Sequence, residues 1–407
     1  MGRKMILIGN PGNRRTTGLQ AARAKLGLPP AILLSYQDLL QGRASLTSTV
    51  LMHGMSAEEP PLLRLDAPGE HFGVERDLIA LGAPDAEADP ADDRWIRFGD
   101  RPFQPMSVRI ALNLKENKGK LYHPSQWFRG YCRLLSRLDR EAKQLGLESE
   151  WMNAPQDIAA MFDKRYTYQV LSEAGLPVPR RLASPEMIPD YESLRELMTK
   201  ERIYRIFIKL AAGSGACGVI AYQVNPVTGA ESAVTTLRVE NYQSRPPVFY
   251  NVKKLANNRD GSSIRQMVNW LLGHGAHIEQ WIPKASYRDC TFDIRQLVVK
   301  GEACHGIARV SRTPITNLHL DSERKSFTEI ELSRDVQSTV RHCAERTLAA
   351  FSHSSVAGID VLLSSGAFRP YILDVNPFGD LLYHSRYEGH DPYEWEMIKT
   401  SLRSPMG

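Results

Sequence analysis

The chain has 407 residues, of which 42% are hydrophobic and 24% are charged, a composition typical of a globular protein with two or three domains. Its net charge of +5 arises from residues of both signs spread along the chain, which argues against a nucleic-acid partner and favours anionic small ligands. The first apolar run, residues 5–9, is too short for a signal-peptide core or a membrane span. Five scattered cysteines without a CxxC pair are typical of reduced thiols, so we expect a cytoplasmic protein without a membrane partner.

The N-terminal part reads as strand, turn, helix and strand. Residues 5–9 (MILIG) predict a buried strand, a turn (NPGNRRTT) follows, a helix is expected near residues 17–27, and AILLSY predicts a strand over residues 31–36. This order is typical of a doubly wound α/β domain. We therefore predict a Rossmann-like domain over residues 1–125.

A glycine-rich loop follows the predicted strand RIFIKL, which ends in Lys209 and Leu210. Glycines allow backbone N–H groups to approach a phosphate, a serine adds a donor, and the lysine would lie beside the same phosphate. The loop lacks the GK[ST] of a Walker A motif, and a second strand rather than a dinucleotide-binding helix follows it. An unliganded hairpin turn explains the loop equally well on its own. The candidate phosphate-binding residues are Lys209, Gly213, Ser214, Gly215 and Gly218.

The segment HIEQWIP predicts a strand over residues 277–282 that could bind the edge of an adenine ring. An acidic residue can accept from the adenine amino group, and the backbone beyond it offers further hydrogen bonds. A plain edge strand is the alternative. The candidate adenine-binding residues are Glu279, Gln280, Trp281 and Ile282.

A hairpin turning at Lys300-Gly301 is predicted from FDIRQLVVKGEACHGIARV. Its first strand places Asp293 and Arg295 on one face, because side chains alternate along a strand. Arg309, Arg312 and Asn317 follow. Arginine offers planar, permanently charged donors for phosphate and carboxylate oxygens, although ordinary surface ion pairs would use the same residues.

The last strong motif, GIDVLLSSGAFRPYILDVNP, predicts a hairpin with a metal-binding face. If Leu363 pairs with Tyr371, Asp360 lies directly opposite Asp374, and Asn376 falls on the same face. Opposed carboxylates repel unless a cation lies between them, and hard oxygen ligands suit Mg²⁺, with Mn²⁺ as an alternative. Two solvated acids are the other explanation. The opposite, apolar face would carry Ile359, Val361, Leu363, Leu373 and Val375.

Together, in this order, these motifs resemble the ATP-grasp superfamily, and most of all its ribosomal-protein glutamate ligases and their peptide-modifying relatives. The similarity extends over about residues 150–380. The matching residues are Asp163-Lys164, IFIKLAAGSGACGV, Glu279, DIR at 293–295, NLH at 317–319 and DVN at 374–376. The resemblance implies an α/β fold in which two α+β lobes clamp ATP. We place linker helices and the first lobe at 126–282, and the second lobe with the metal site at 283–407.

The resemblance also implies roles for single residues. Lys164, Lys209 and the glycine loop would bind the ATP phosphates, the segment from Glu279 would bind adenine, and Asp293 would contribute to the nucleotide site. Mg²⁺ would be held by Asp360, Asp374 and Asn376, while Arg309, Arg295 and Asn317 would act in catalysis. Two departures stand out. The final acid is Asp374 where the family usually has glutamate, and Asp321 to Arg324 replace a glycine pair after NLH.

The function implied by the resemblance is ATP- and Mg²⁺-dependent ligation of a carboxylate to an amine through an acyl phosphate. The substrate would be a small molecule, an amino acid or a peptide. A kinase acting on a hydroxyl would use the same nucleotide residues, and a non-catalytic nucleotide sensor is a third possibility.

Four arginines are candidates for substrate binding. Arg14 and Arg15 follow the first strand, just ahead of a helix whose N-terminus favours anions. Arg64, beside Asp66 at another strand end, and Arg312 could join them. Solvated surface arginines are the alternative.

Overall fold

The computed structural model describes residues 3–97, 102–213, 215–320 and 322–401. Three sheets divide the fold, and each has helices packed against it. The strands of each sheet are consecutive along the chain, so the three sheets follow one another in sequence order.

The first sheet is parallel, with the strand order β2-β1-β3, and forms the N-terminal layer. Its strands are β1 (Met5–Gly9), β2 (Ile32–Ser35) and β3 (Leu62–Leu65), and its helices are α1 (Arg14–Lys25), α2 (Tyr36–Leu40), α3 (Leu46–Met52) and α4 (Phe72–Leu81). The predicted strand–turn–helix–strand order is confirmed. Helix α1 begins earlier than predicted, because the Asn13 side chain accepts from the Arg15 amide and caps it.

Helices connect this layer to the second sheet. They are α5 (Val108–Leu112), α6 (Pro124–Gln144), α7 (Pro155–Phe162), α8 (Lys164–Glu173) and α9 (Tyr191–Lys200). Asp163 ends α7 and caps α8, with its side chain accepting from the Arg165 amide. Because Asp163 separates the two helices, Lys164 is the first residue of α8.

The second sheet is antiparallel, with the order β7-β6-β5-β4-β8. It comprises β4 (Arg205–Leu210), β5 (Val219–Val224), β6 (Glu231–Glu240), β7 (Val248–Asn258) and β8 (Ala276–Gln280), covered by α10 (Gly261–Gly273). The loop between β4 and β5 is the glycine-rich segment, so the predicted second strand is confirmed. Strand β8 ends at Gln280, which leaves Trp281 and Ile282 beyond the predicted strand.

The third sheet has the order β12-β11-β10-β13-β14, and β9 also pairs with β10. It comprises β9 (Ser286–Tyr287), β10 (Cys290–Val299), β11 (Glu302–Ser311), β12 (Glu323–Lys325), β13 (Val356–Leu363) and β14 (Pro370–Asn376), with helices α11 (Arg334–Ala349) and α12 (Pro392–Ser401). The hairpin predicted to turn at Lys300-Gly301 is confirmed as β10–β11.

The last helix returns to the N-terminal layer. Helix α12 packs against α1, and its buried Glu396 forms an ion pair with Arg64 of β3. A small apolar cluster joins the second sheet to the segment after β11, through Phe207, Ala221, Ile315 and Leu320. These contacts close the space between the sheets on two sides. The predicted domain boundaries remain predictions.

Candidate functional site

An inner cavity lies between the second and third sheets. Strand β4 and its glycine loop form one wall, while β10, β11, β13 and β14 form the other. The structure brings most of the predicted nucleotide and metal residues together here. They are Lys164, Lys209, Gly213, Glu279, Gln280, Ile282, Asp293, Arg309, Asn317, Asp360 and Asp374.

A wider outer cavity of about 490 Å³ adjoins the inner one. The two cavities share Lys164, Gly213, Arg309, Asn317, Asp360 and Asp374. The outer cavity adds Gly215, Arg295 and Asn376, together with Arg14 and Arg15 from the N-terminal layer. The shared residues are therefore reachable from both sides, as transfer of a group between two bound molecules requires.

The two aspartates of the last hairpin face each other as predicted. Asp360 of β13 lies directly opposite Asp374 of β14. A bulge next to this pair shifts the register, so that Leu362 rather than Leu363 pairs with Tyr371. The same bulge corrects the apolar face. Ile372 packs in the core, and Leu373, predicted to lie there, lines the inner cavity.

Two arginines surround Asp360. Arg295 Nε lies 2.5 Å from Asp360 Oδ1, and Arg309 Nη2 lies 3.1 Å from Oδ2. Burial raises the pKa of Asp360 above its ordinary value, and this outweighs the opposite effect of the two arginines. The contact at Oδ1 lacks hydrogen-bond geometry, so this buried oxygen has no hydrogen-bond partner in the described residues.

The residues at this point fit a magnesium ion shared with phosphates. In the described chain no group of three or more His, Cys, Asp or Glu side chains could hold a metal. Mg²⁺, however, is usually bound by one or two carboxylates and completed by water and phosphate oxygens. Asp360 and Asp374 supply two carboxylates, one with a buried oxygen lacking a hydrogen bond. Asn376 donates its amide N–H to Gly358 O at 3.0 Å, which leaves its Oδ1 outside that bond.

The glycine loop is tightly folded around two lysines. Lys164 Nζ donates to Gly213 O at 2.8 Å and lies 3.2 Å from the Asp374 carboxylate. Gly218 has a φ of +64°, and a Cβ there would come within 2.9 Å of Leu210. Glycine is thus required for the loop to approach β4 this closely. Ser214, predicted to donate to a phosphate, lies outside the described residues.

Glu279 occupies a different position from the one predicted. Its buried carboxylate lies 2.5 Å from Lys209 Nζ and 3.2 Å from His277 Nε2, so the proposed pairing with adenine is not supported. Burial would raise the pKa of Glu279, but Lys209 together with His277 lowers it below its ordinary value. Trp281 does not line the inner cavity in the described structure. Its ring lies 5.2 Å from that of Phe207.

A buried cation in the inner cavity escaped the sequence analysis. Lys284 Nζ lies 2.9 Å from Asp293 Oδ2, and Arg309 Nε lies 2.7 Å from Asp293 Oδ1. Burial raises the pKa of Asp293, but Arg309 and Lys284 outweigh it and lower the pKa to about 2. Asp293 therefore acts as a fixed anion that holds two cations. The sequence signal for Lys284 was only its place shortly after the predicted adenine-binding strand.

A second missed residue is Asp380, in the loop after β14. Its carboxylate lies 2.8 Å from Arg295 Nη1, so Arg295 bridges Asp360 and Asp380. No local pattern marks this acid, because the contact joins positions 85 residues apart. Its partner, Arg295, lines the outer cavity.

The four candidate substrate arginines divide into two groups. Arg14 and Arg15 line the outer cavity: Arg14 pairs with Glu70 at 3.1 Å, and Arg15 donates to Phe378 O at 3.0 Å. Both lie in the first turn of α1 rather than ahead of it. Arg64 was predicted wrongly, because it is buried against Glu396 and lines neither cavity. Arg312 is exposed and also lies outside both linings.

Comparison with known proteins gives a consistent result. No family model matches the chain. A curated relative, the coenzyme γ-F420-2:α-L-glutamate ligase of Methanococcus maripaludis, is 24% identical over 236 residues. The match covers 56% of this chain and 64% of that protein, so it spans just under two thirds of the relative.

Solved structures match nearly the whole chain. The ATP-grasp ligase PsnB, in a complex with a precursor variant, Mg and ADP, aligns with a TM-score of 0.51 at 12% identity, covering 99% of this chain and 100% of that one. This chain has the ATP-grasp fold. The D-cycloserine synthetase DcsG aligns with the same TM-score at 11% identity, covering 98% of each chain. The predicted resemblance to ATP-grasp ligases and the predicted fold class are thereby confirmed.

Two further expectations concern the setting of this ATP-grasp protein. Within the described ranges no helix is long and apolar enough to cross a membrane. All five cysteines are free thiols, among them Cys217 of the glycine loop. The thiol pattern agrees with the composition-based expectation.

Proposed function

We propose that this protein is an ATP-dependent carboxylate–amine ligase. The observation that carries the proposal is the shared boundary of the two cavities, where Arg309, Asp360 and Asp374 are reachable from both. ATP would occupy the inner cavity, with its γ-phosphate at this boundary, and the substrate carboxylate would approach from the outer cavity. The ligase activities of the related proteins support the same reaction.

The inner cavity suits a nucleotide triphosphate. Leu362 and Leu373 give it apolar walls, and Gln280 and Ile282 offer the edge where the adenine would bind. Lys164 and Lys209 are the cations nearest the glycine loop. Each would donate a charge-assisted hydrogen bond to a phosphate. Glu279 would hold Lys209 in position rather than bind adenine.

The reaction would occur in two displacements. A carboxylate oxygen attacks the γ-phosphorus of ATP, the bond from that phosphorus to the β–γ bridging oxygen breaks, and ADP leaves. An amine nitrogen then attacks the acyl carbon, inorganic phosphate leaves, and the surplus amine proton is released. No covalent enzyme intermediate is needed, so the side chains act by positioning and by neutralising charge.

Each cationic residue at the boundary has a role in this scheme. Arg309, held by Asp293 and Asp360, would donate to the oxygens of the phosphoryl group in transfer. Arg295 would hold Asp360 in place through its bridge to Asp380. Asp360, Asp374 and Asn376 would hold Mg²⁺, which when bound neutralises phosphate charge. Mn²⁺ could replace it. We also propose a cytoplasmic enzyme, in accordance with its free thiols.

The test is ADP release screened against amino acids and short peptides as acids and as amine acceptors, followed by the mass of the product. A ligase yields a product heavier than its acid by the amine minus water, together with free phosphate. A stable phosphoester would identify a kinase instead. The absence of nucleotide binding at millimolar Mg-ATP would overturn the proposal altogether.

A further inference from the structure

Two arginines face each other on neighbouring strands beside the outer cavity. Arg309 of β11 lies directly opposite Arg324 of β12, and both line that cavity. Directly opposed residues have Cβ atoms about 4.5–5.5 Å apart, and like charges in this arrangement are destabilising. A pair of opposed arginines therefore needs anions nearby.

The two arginines differ in how their charge is balanced. Arg309 is buried and contacts both Asp293 and Asp360. Arg324 is exposed, and within the described ranges no carboxylate lies within ion-pair distance of its guanidinium. The internal carboxylates thus compensate Arg309 and leave the charge of Arg324 available to a ligand.

Arg324 is held in place without using its hydrogen-bond donors. Its guanidinium lies 5.4 Å from the centre of the Tyr383 ring, and Tyr383 also lines the outer cavity. Stacking on an aromatic face leaves the N–H groups at the guanidinium edge free to donate. Tyr383 belongs to the segment after Asp380, so it approaches Arg324 from the opposite side of the cavity mouth.

We propose that Arg324 binds a second anionic group of the substrate, and that the substrate class is an acid with two carboxylates. This inference rests on the proposed function and narrows it. The reacting carboxylate would lie near Arg309 at the boundary of the cavities, and the second carboxylate would accept from Arg324 nearer the solvent. An acidic amino acid or an acidic peptide side chain next to a free carboxylate has this chemistry. Arg324 is then a specificity-determining residue.

The experiment measures carboxylate binding directly. Glutarate and butyrate, which differ by one carboxylate, are titrated into the protein by calorimetry at constant ionic strength, with and without saturating Mg-ADP. One charge-assisted hydrogen bond corresponds to a preference of about 10-fold or more. We expect wild type to bind glutarate at least about 10-fold more tightly than butyrate, and Arg324→Gln to lose this preference.

The matched control is Arg288→Gln. Arg288 is also exposed and lies 5.2 Å from the centre of a tyrosine ring, that of Tyr287, but it lines neither cavity. This variant should keep the preference for glutarate. Equal affinities in wild type, no glutarate binding at 20 mM (roughly the weakest affinity of interest), or a preference that persists in Arg324→Gln would overturn the inference. Failure of Mg-ADP to bind while glutarate is still preferred would reject the ligase and leave the anion site standing.

Discussion

Lys209 Nζ lies 2.5 Å from Glu279 Oε1, in a buried ion pair that joins two neighbouring strands of the second sheet. The lysine faces the inner cavity beside the glycine loop, and the glutamate fixes it there. The carboxylate expected to read adenine thus has a partner within the protein. The predictions that follow treat Glu279 as a positioning residue for Lys209.

Loss of either phosphate lysine should weaken ATP binding. Lys209→Met and Lys164→Met each remove one charge-assisted contact, worth about 1.5–3 kcal/mol. Glu279→Gln should weaken binding less than Lys209→Met, because the cation remains but is less well fixed. Calorimetric titration with Mg-ATP measures all three, with the exposed Lys200→Met as control. ATP affinity equal to wild type in both lysine variants would show the glycine loop to be an unliganded turn.

Neutralising either acid of the opposed pair should abolish turnover without unfolding the protein. Asp360→Asn and Asp374→Asn keep the size of each side chain but remove a charge from the proposed Mg²⁺ site. ADP formation and the melting temperature are measured on the same samples. Asp289→Asn, at an exposed turn before β10, should behave as wild type. Normal turnover in either acid variant would remove it from the metal site.

The products should be ADP and inorganic phosphate rather than AMP and pyrophosphate, because the cations and the acid pair meet where the γ-phosphate would lie. A substrate carboxylate labelled with ¹⁸O gives a sharper form of the test. Attack on the γ-phosphorus transfers one labelled oxygen to inorganic phosphate, which phosphorus NMR detects as a shifted line. Label in AMP would instead indicate adenylation and exclude the acyl-phosphate route.

Stability should fall as the pH drops below about 6.5. Burial lowers the pKa of His274 to about 3, so between the folded and unfolded pKa values the unfolded state binds one more proton. The folded state therefore loses about 2 kcal/mol at pH 5 from this group alone, since each pH unit contributes about 1.4 kcal/mol. Urea unfolding at pH 7.5 and pH 5 measures the loss. His274→Asn should lose about 2 kcal/mol less over this interval, and an identical loss in both proteins would contradict the assignment.

Arg64 and Arg14 should respond oppositely to truncation. Arg64→Ala leaves the buried Glu396 without its partner, which typically costs about 3–5 kcal/mol of stability. Arg14→Ala removes an exposed side chain of the outer cavity, so stability should change by less than about 1 kcal/mol. Its expected effect is a higher KM for the non-nucleotide substrates with an unchanged KM for ATP. Chemical unfolding and kinetics with each substrate varied separately distinguish the two roles.

The sequence alone determined those features that depend on local periodicity. Alternation along the last two strands predicted that Asp360 and Asp374 would oppose each other, and the glycines after Lys209 predicted a tight loop between two strands. Both follow from the two-residue repeat of a strand and from the backbone freedom of glycine. Even so, the bulge beside Asp374 was invisible, because no residue type marks it, and Leu373 and Ile372 consequently exchanged faces.

Only the tertiary structure decided which charges meet. Glu279 and Lys209 lie 70 positions apart in the sequence, and Arg64 and Glu396 lie 332 apart, so nothing local indicates either pair. Arg64 and Arg14 look alike as arginines near strand ends, but the return of helix α12 buries one and leaves the other at the cavity mouth. A charge costs free energy when buried unless it is paired, and the pairing partner is set by the packing of distant elements. The sequence therefore named the residues able to do the chemistry, and the packing of the three sheets determined which of them face the cavities.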